Sequence, residues 1–291
     1  MSGASALVGA SRGRTLRREI GSWSASLKVG GSMLMLIVLA AIFAPVLAPY
    51  DPTEQDFMAI LMPPSLAHPF GTDNIGRDIF SRVLYGARID LTIGFLTTYV
   101  PMTYGVVLGA YSGYVGGRFD SIVSGLIDVA LAFPFLVLII IILAILGPGI
   151  QNIYIAVFLV AWTMYARLAR AEMMVESTKD YMTAARVLGY PRSRIVLRHG
   201  LPNVINSSIV FSATDFVLNI VLVSSLSFIG LGVQPPAPEW GAMISEGRDF
   251  IRQAWWLATL PGLAIVITGV ALALIGDGLA RRLGERHHTT T

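Results

Sequence analysis

The sequence predicts an all-α integral membrane protein with six transmembrane helices, and three observations carry that expectation. Only 13% of the 291 residues are charged and the mean hydropathy is +0.67, whereas a soluble domain carries about 25% charged residues. Six apolar runs, at residues 29–47, 90–112, 121–146, 153–168, 204–229 and 255–276, approach or exceed the length that crosses a bilayer as helix. The runs are continuous instead of alternating with period two, which argues against a β-barrel. With the N-terminus taken as cytoplasmic, 16 of the 21 Lys and Arg residues fall in inner segments, so the positive-inside rule places both termini inside. The pI of 9.3 then reflects topology, and nucleic acid is not expected as a partner.

Taken in order, residues 1–28 form a cytoplasmic tail rich in Ser, Gly and Arg, with Arg17 and Arg18 placed to meet anionic lipid headgroups. The first run is long and far from the start, which favours a retained anchor over a cleaved signal. Gly9-Ala10-Ser11-Arg12-Gly13 matches the G-x-S-x-G hydrolase pattern by coincidence, because no strand precedes it and no helix follows. The outer segment after the first run carries Pro49, Pro52, Pro63, Pro64 and Pro69, which oppose a long helix. Beyond them Thr72 or Asp73 is expected to cap a short helix after a turn at Gly71. Asp73, Arg77 and Asp78 read either as a solvated loop or as an outer partner or gate surface.

The second run holds Gly105, Gly109, Gly113 and Gly117 at a strict spacing of four, a stripe that lets a neighbouring helix approach closely. Asp128 in the third run and Asp215 in the fifth each cost about 2.5–3.5 kcal/mol near a span centre, so each needs a reason. They are candidates for the translocation path, against the plainer reading of a satisfied inter-helix hydrogen bond. Pro101, Pro134 and Pro261 sit inside runs and are expected to kink them. Glu239 and Trp240, in the outer segment 235–241, read as a gate, a receiving surface or a structural turn. The chain has no cysteine, its four histidines do not cluster, and H-E-x-x-H is absent, so no metal site is expected.

The inner loop 177–203 is the longest basic interval between apolar ones. Ser177 or Thr178 is expected to cap a short helix ended by Gly189, and Pro191 to open a second, terminated by Gly200 and Pro202. Tyr181, Ala185 and Leu188 would form one apolar face, and Ile195, Val196 and Leu197 a second flanked by Arg192, Arg194 and Arg198. Such an element either inserts into a groove of a soluble partner or links two spans along the membrane surface.

Ala184-Ala185, Gly189 and His199-Gly200-Leu201-Pro202 resemble the EAA loop of ABC importer permeases, with Thr183 where that motif has Glu. Gly71-Thr72-Asp73, Gly76-Arg77-Asp78, Ser81-Arg82, the 228–241 stretch and Gly276-Asp277-Gly278-Leu279 are similar to the second permease subunit of dipeptide, oligopeptide and nickel importers, the DppC/OppC type. The resemblance implies a type I ABC importer (MetI-like) permease domain over residues 29–283, with 284–291 as a C-terminal tail and a cytoplasmic coupling helix in the 177–203 loop. It implies a homologous permease partner (DppB/OppB-like), two ATP-binding subunits and an extracytoplasmic substrate-binding protein, in a bacterial inner membrane. Coupling residues on this reading are Thr183, Ala184, Ala185, Leu188, Gly189, Arg192, Leu201 and Pro202.

The chain lacks a G-x-x-x-x-G-K-[ST] phosphate loop. It is therefore expected to bind no cofactor itself, and ATP and Mg are assigned to the partner subunits. The expected cargo is peptide. Nickel or another small solute is the alternative, followed by an ion-gradient-driven secondary transporter using Asp128 and Asp215, which would need repeats or broken helices near mid-membrane.

Overall fold

The computed structural model describes residues 24–288, with side chains to Arg282. The tail motif at residues 9–13 and the lipid-facing Arg17 and Arg18 lie outside the described residues. The principal helices are α1 (Ala25–Ile42), α2 (Ala44–Leu47), α3 (Ile79–Val115), α4 (Gly117–Leu131), α5 (Phe135–Leu146), α6 (Ile150–Glu176), α7 (Asp180–Val187), α8 (Arg192–Arg194), α9 (Leu201–Phe228), α10 (Trp240–Gly247) and α11 (Trp256–His288). Five of these are long and apolar enough to cross a membrane, or six crossings if the bent pair α4–α5 counts as one. The protein is a multi-pass membrane protein.

Local sequence explains most helix ends. Ser24 opens α1 by accepting from the Leu27 N–H at 3.3 Å, and Asp78 opens α3 by accepting from the Ser81 N–H at 2.7 Å. Gly116 and Gly117, with φ of 65° and 63°, make the turn between α3 and α4 in a conformation that L side chains rarely adopt. Pro101 and Pro261 lie inside helices that run through them.

The third apolar run departs from expectation. It is two helices, α4 and α5, bent by 87° across residues 132–134. Pro134 is the N-cap of α5, with extended ψ of 127°, because the proline ring crowds the preceding turn and removes a donor. The fourth run, 16 residues by hydropathy, is part of the 27-residue α6. Its continuation beyond residue 168, with Arg170, Glu172 and Glu176, is too polar to register in an apolar count.

The bundle is built on α3 against α6, the most extensive helix pair. A side-chain carbon added at Gly105 or Gly113 would come within 2.6 or 2.5 Å of the Trp162 or Arg170 carbonyl oxygen, and one at Gly109 would collide with that of Ala166. The stripe is thus three glycines laid along one face of α6. Gly117 does not belong to it: it starts α4 and has open space around it. Gly30 meets α11 at Ala271 and Leu274 in the same manner, which joins the first and last long helices.

Candidate functional site

At one end of the bundle, α7 is held between the end of α6 and the start of α9. Met182 and Ala185 are its buried side chains, packed with Met173, Ile195 and Val196. Gly200 leaves room for the Met173 thioether, whose Sδ would lie 2.8 Å from an added side-chain carbon. The Tyr181 hydroxyl donates to Glu176 Oε1 and accepts from Asn203 Nδ2 at 2.9 Å. Burial, together with the Glu176 carboxylate, pushes the Tyr181 phenol up to about 12, so it stays a neutral donor at physiological pH.

Gly189 closes α7 with φ of 75°. The Tyr190 N–H reaches the Ala185 carbonyl at 3.2 Å and the Gly189 N–H reaches that of Arg186 at 3.0 Å, a Schellman cap.

Three details differ from the sequence reading. Lys179, without a side-chain cap, precedes α7; the Ser177 and Thr178 hydroxyls instead donate backwards to the Met174 and Val175 carbonyls at 2.8 Å, finishing α6. Leu188 does not share a face with Ala185, being 70% exposed in the terminal turn that unwinds at Gly189. Gly200 and Pro202 do not end a helix. The chain passes from α8 through a π-helical turn, Ile195–Gly200, into α9. The wider turn accommodates the donor that Pro202 lacks and its clash with the preceding carbonyls.

The opposite side of this element is uncovered. Thr183, Ala184 and Arg192 are exposed, with Val187 at 82%, Leu188 at 70% and Leu197 at 51%. Leu201 is half-buried and Pro202 exposed. The expected coupling residues therefore divide: Ala185 seats the helix, Gly189 shapes it, and Thr183, Ala184, Leu188 and Arg192 face outward.

Within the bundle, Asp215 Oδ2 accepts from the Tyr165 hydroxyl at 2.8 Å and Asn219 Nδ2 at 3.1 Å, and Asn219 also donates to Thr98 Oγ1 at 2.9 Å. Three helices, α3, α6 and α9, are tied together by this chain. Asp128 has a different setting. It lines a cavity of about 520 Å³ between α4 and α6, with Ser124, Ile127, Leu131, Ala132, Arg167 and Arg170. At its edge Asp120 receives Arg170 Nε and Nη2 at 2.6 and 2.7 Å and the Ser112 hydroxyl at 2.5 Å.

At the other end of the bundle, the residues expected as an outer surface are inside the chain. Asp73, Arg77, Asp78, Glu239 and Trp240 are each at most 4% exposed. Asp73 accepts from the Ile75 and Arg77 N–H groups at 2.9 Å and from Arg77 Nε at 2.5 Å. Arg77 and Arg82 both donate to Glu246 Oε2, at 2.8 and 3.0 Å. Asp78 pairs with His68 Nδ1 at 2.9 Å. Glu239 caps α10 through the Gly241 and Ala242 N–H groups at 2.9 and 2.7 Å, while Trp240 Nε1 donates to the Val83 carbonyl at 3.0 Å. The partner-surface reading of these five is corrected: their polar atoms are engaged within this chain, which is why such charged groups tolerate burial.

Glu246, Arg82, Asp120 and Arg170 are the participants that sequence reasoning missed. One signal was available for the first two, since residues 71–82 hold two arginines and two carboxylates of which Asp78 serves a helix cap, leaving a cation to be matched elsewhere.

The described residues contain no group of three His, Asp or Glu side chains suited to a metal. Residues 105–288 match the family model for the binding-protein-dependent transport system inner membrane component. The chain belongs to this family. Residues 28–64 also match the N-terminal TM domain of oligopeptide transport permease C, covering α1 and the segment that follows it. The family accounts for a transport subunit built from apolar helices.

Among its relatives, the chain is 43% identical over 265 residues to the di/tripeptide transport system permease protein DppC of Pseudomonas aeruginosa, covering 89% of this chain and 88% of that one. It is 41% identical over 264 residues to the dipeptide transport system permease protein DppC of Haemophilus influenzae, covering 89% and 90%. A probable D,D-dipeptide transport system permease protein of Escherichia coli K12 is 40% identical over 247 residues, covering 85% and 83%.

Proposed function

We propose that this family member is the permease subunit of an ATP-driven importer of short peptides, and that α7 is its coupling helix. The observation that carries the coupling assignment is the split character of α7, whose Met182 and Ala185 are buried while Ala184, Val187 and Leu188 stand uncovered beside Leu197. A short helix seated on two long ones, with an apolar outer face and basic flanks at Arg186, Arg192 and Arg194, suits a groove in a soluble subunit. The peptide cargo is supported by the names of the relatives, which cover nearly the whole chain.

On this reading the α7 end and both termini are cytoplasmic, in keeping with the cation distribution. Two ATP-binding subunits hold ATP and Mg, a homologous permease completes the path, and an extracytoplasmic protein delivers the peptide to the α10 end. Closure of the nucleotide subunits pushes on α7. Because α7 is fixed to α6 and α9, that push is passed to the two helices carrying Tyr165 and Asp215.

Reconstitution tests it. In proteoliposomes with all partners, uptake of Ala-Phe is expected to require ATP and the binding protein. Uptake driven by an ion gradient through this chain alone would refute the proposal.

A further inference from the structure

The cavity between α4 and α6 holds an arrangement of charge that the coupling and packing roles leave unused. Ser124, Ile127, Asp128 and Leu131 recur at helical spacing along one face of α4, and Arg167 and Arg170 present the opposite wall from α6. The cavity extends to Leu131 and Ala132, where the 87° bend turns α5 away.

Its two arginines differ. Arg170 is committed to Asp120 through two nitrogens, whereas Arg167 is exposed and, like the exposed Asp128 carboxylate, makes no side-chain hydrogen bond or ion pair with the described residues. From the level of the Arg170–Asp120 pair, Asp128 lies about 12 Å further along α4 and Arg167 about 4.5 Å further along α6. Lipid is a poor neighbour for either, at about 2.5–3.5 kcal/mol each near a span centre. The Ser124 hydroxyl, one turn before Asp128 on α4, is buried without a hydrogen-bond partner among the described residues.

We infer that this cavity is a binding station for a zwitterionic peptide in transit, with Asp128 receiving the α-ammonium and Arg167 the α-carboxylate. The inference rests on the peptide-importer reading and adds a place within it. A volume of about 520 Å³ is within the range of small-ligand sites, about 300–1,000 Å³. The lining carries one charge of each sign that makes no hydrogen bond or ion pair among the described residues, Asp128 lying within electrostatic reach of Arg170, and a dipole of matching polarity meets both where a simple cation or anion meets one.

The test uses the complete transporter in proteoliposomes, with the binding protein saturated by Ala-Phe. Asp128→Asn and Arg167→Gln are each expected to lower peptide uptake per ATP hydrolysed about tenfold, with ATPase stimulation by the loaded binding protein unchanged. Both side chains are exposed, so neither change disturbs the packed core. Asp128→Glu and Arg167→Lys, which keep the charge, are expected to recover most of the uptake. Wild-type yield per ATP in both neutral variants would overturn the station while leaving the importer reading intact. Equal loss in neutral and charge-retaining variants would overturn it too, by pointing to a structural role. A wild-type transporter that takes up no dipeptide overturns the cargo reading, and this inference with it.

Discussion

The two ends of the bundle differ in how they hold their charged groups. At the α10 end, two arginines, two aspartates and a glutamate that hydropathy would place in water are enclosed and bonded within the chain, with Arg82 at 1% exposure and its Nε left without a hydrogen-bond partner among the described residues, and Glu239 at 0%. At the α7 end, leucine and valine side chains stand in the open, Val187 at 82%. An end that satisfies its own charges is complete as a fold. Both ends also leave apolar side chains uncovered, Met58 at 93% beside the α10 end, but among the described residues the α7 end has no such enclosed set of charges. The difference separates residues whose loss damages the chain from residues whose loss damages its partnership.

Four substitutions probe that separation, ordered by their expected effect on the stability of the isolated chain. Asp73→Ala leaves Arg77 and Arg82 buried with Glu246 as their remaining carboxylate partner, and breaking a buried pair from one side costs about 3–5 kcal/mol. Thermal unfolding in detergent should show a large fall in Tm, or the protein should fail to accumulate; an unchanged Tm would mean the α10 end is not held by this network. Gly109→Ala puts a methyl group against the Ala166 carbonyl and should cost about 1–3 kcal/mol by overpacking. The same unfolding assay, with Gly125→Ala as the contrast at a helical glycine that has nothing within 4 Å, separates close packing from the loss of glycine itself.

Gly189→Val changes a position with φ of 75° and no neighbour within 4 Å. The backbone penalty for an L residue there is about 1–2 kcal/mol. The chain should still insert, while ATP hydrolysis in the reconstituted transporter becomes uncoupled from uptake; full coupling would remove α7 from the transmission path. Leu188→Ser is the smallest structural change, within about 0.5 kcal/mol for an exposed site, yet uptake is expected to fall several-fold. If Leu188→Ser instead shifted Tm as much as Asp73→Ala, the contrast between the ends would collapse.

Much of this was legible in the sequence for reasons that are local. A glycine spacing of four can be read on any helix, and Gly105, Gly109 and Gly113 lie where that spacing puts them. Gly189 was legible as a cap because an apolar run stops there and a proline follows within two residues. What escaped was non-local or depended on how the backbone absorbs a fault. Arg77 and Glu246 are 169 residues apart in sequence, so the charge at residues 71–82 looked solvated when its partner was simply distant. Pro202 looked like a terminator because a regular α-turn cannot hold it, and the π-helical turn at Ile195–Gly200 is invisible to composition. Pro134 was recognised as a kink, but hydropathy continues across it, which hid the separation of α4 from α5. Asp128 and Asp215 are equally conspicuous as intramembrane acids; only the contacts distinguish the tethered Asp215 from Asp128 at its cavity.

The long reach of Glu246 also sets a schedule for biosynthesis. Residues 77 and 82 leave the ribosome well before residue 246, and at about 5–20 residues per second the gap of 169 residues lasts roughly 8–34 seconds. Until then the guanidinium groups have Asp73 as their near carboxylate, and the segment that opens α3 has to stay hydrated while four more apolar helices are made. The α10 end therefore closes late, although it begins to be built before the second long helix, and the seating of α11 against Gly30 of α1 comes later still.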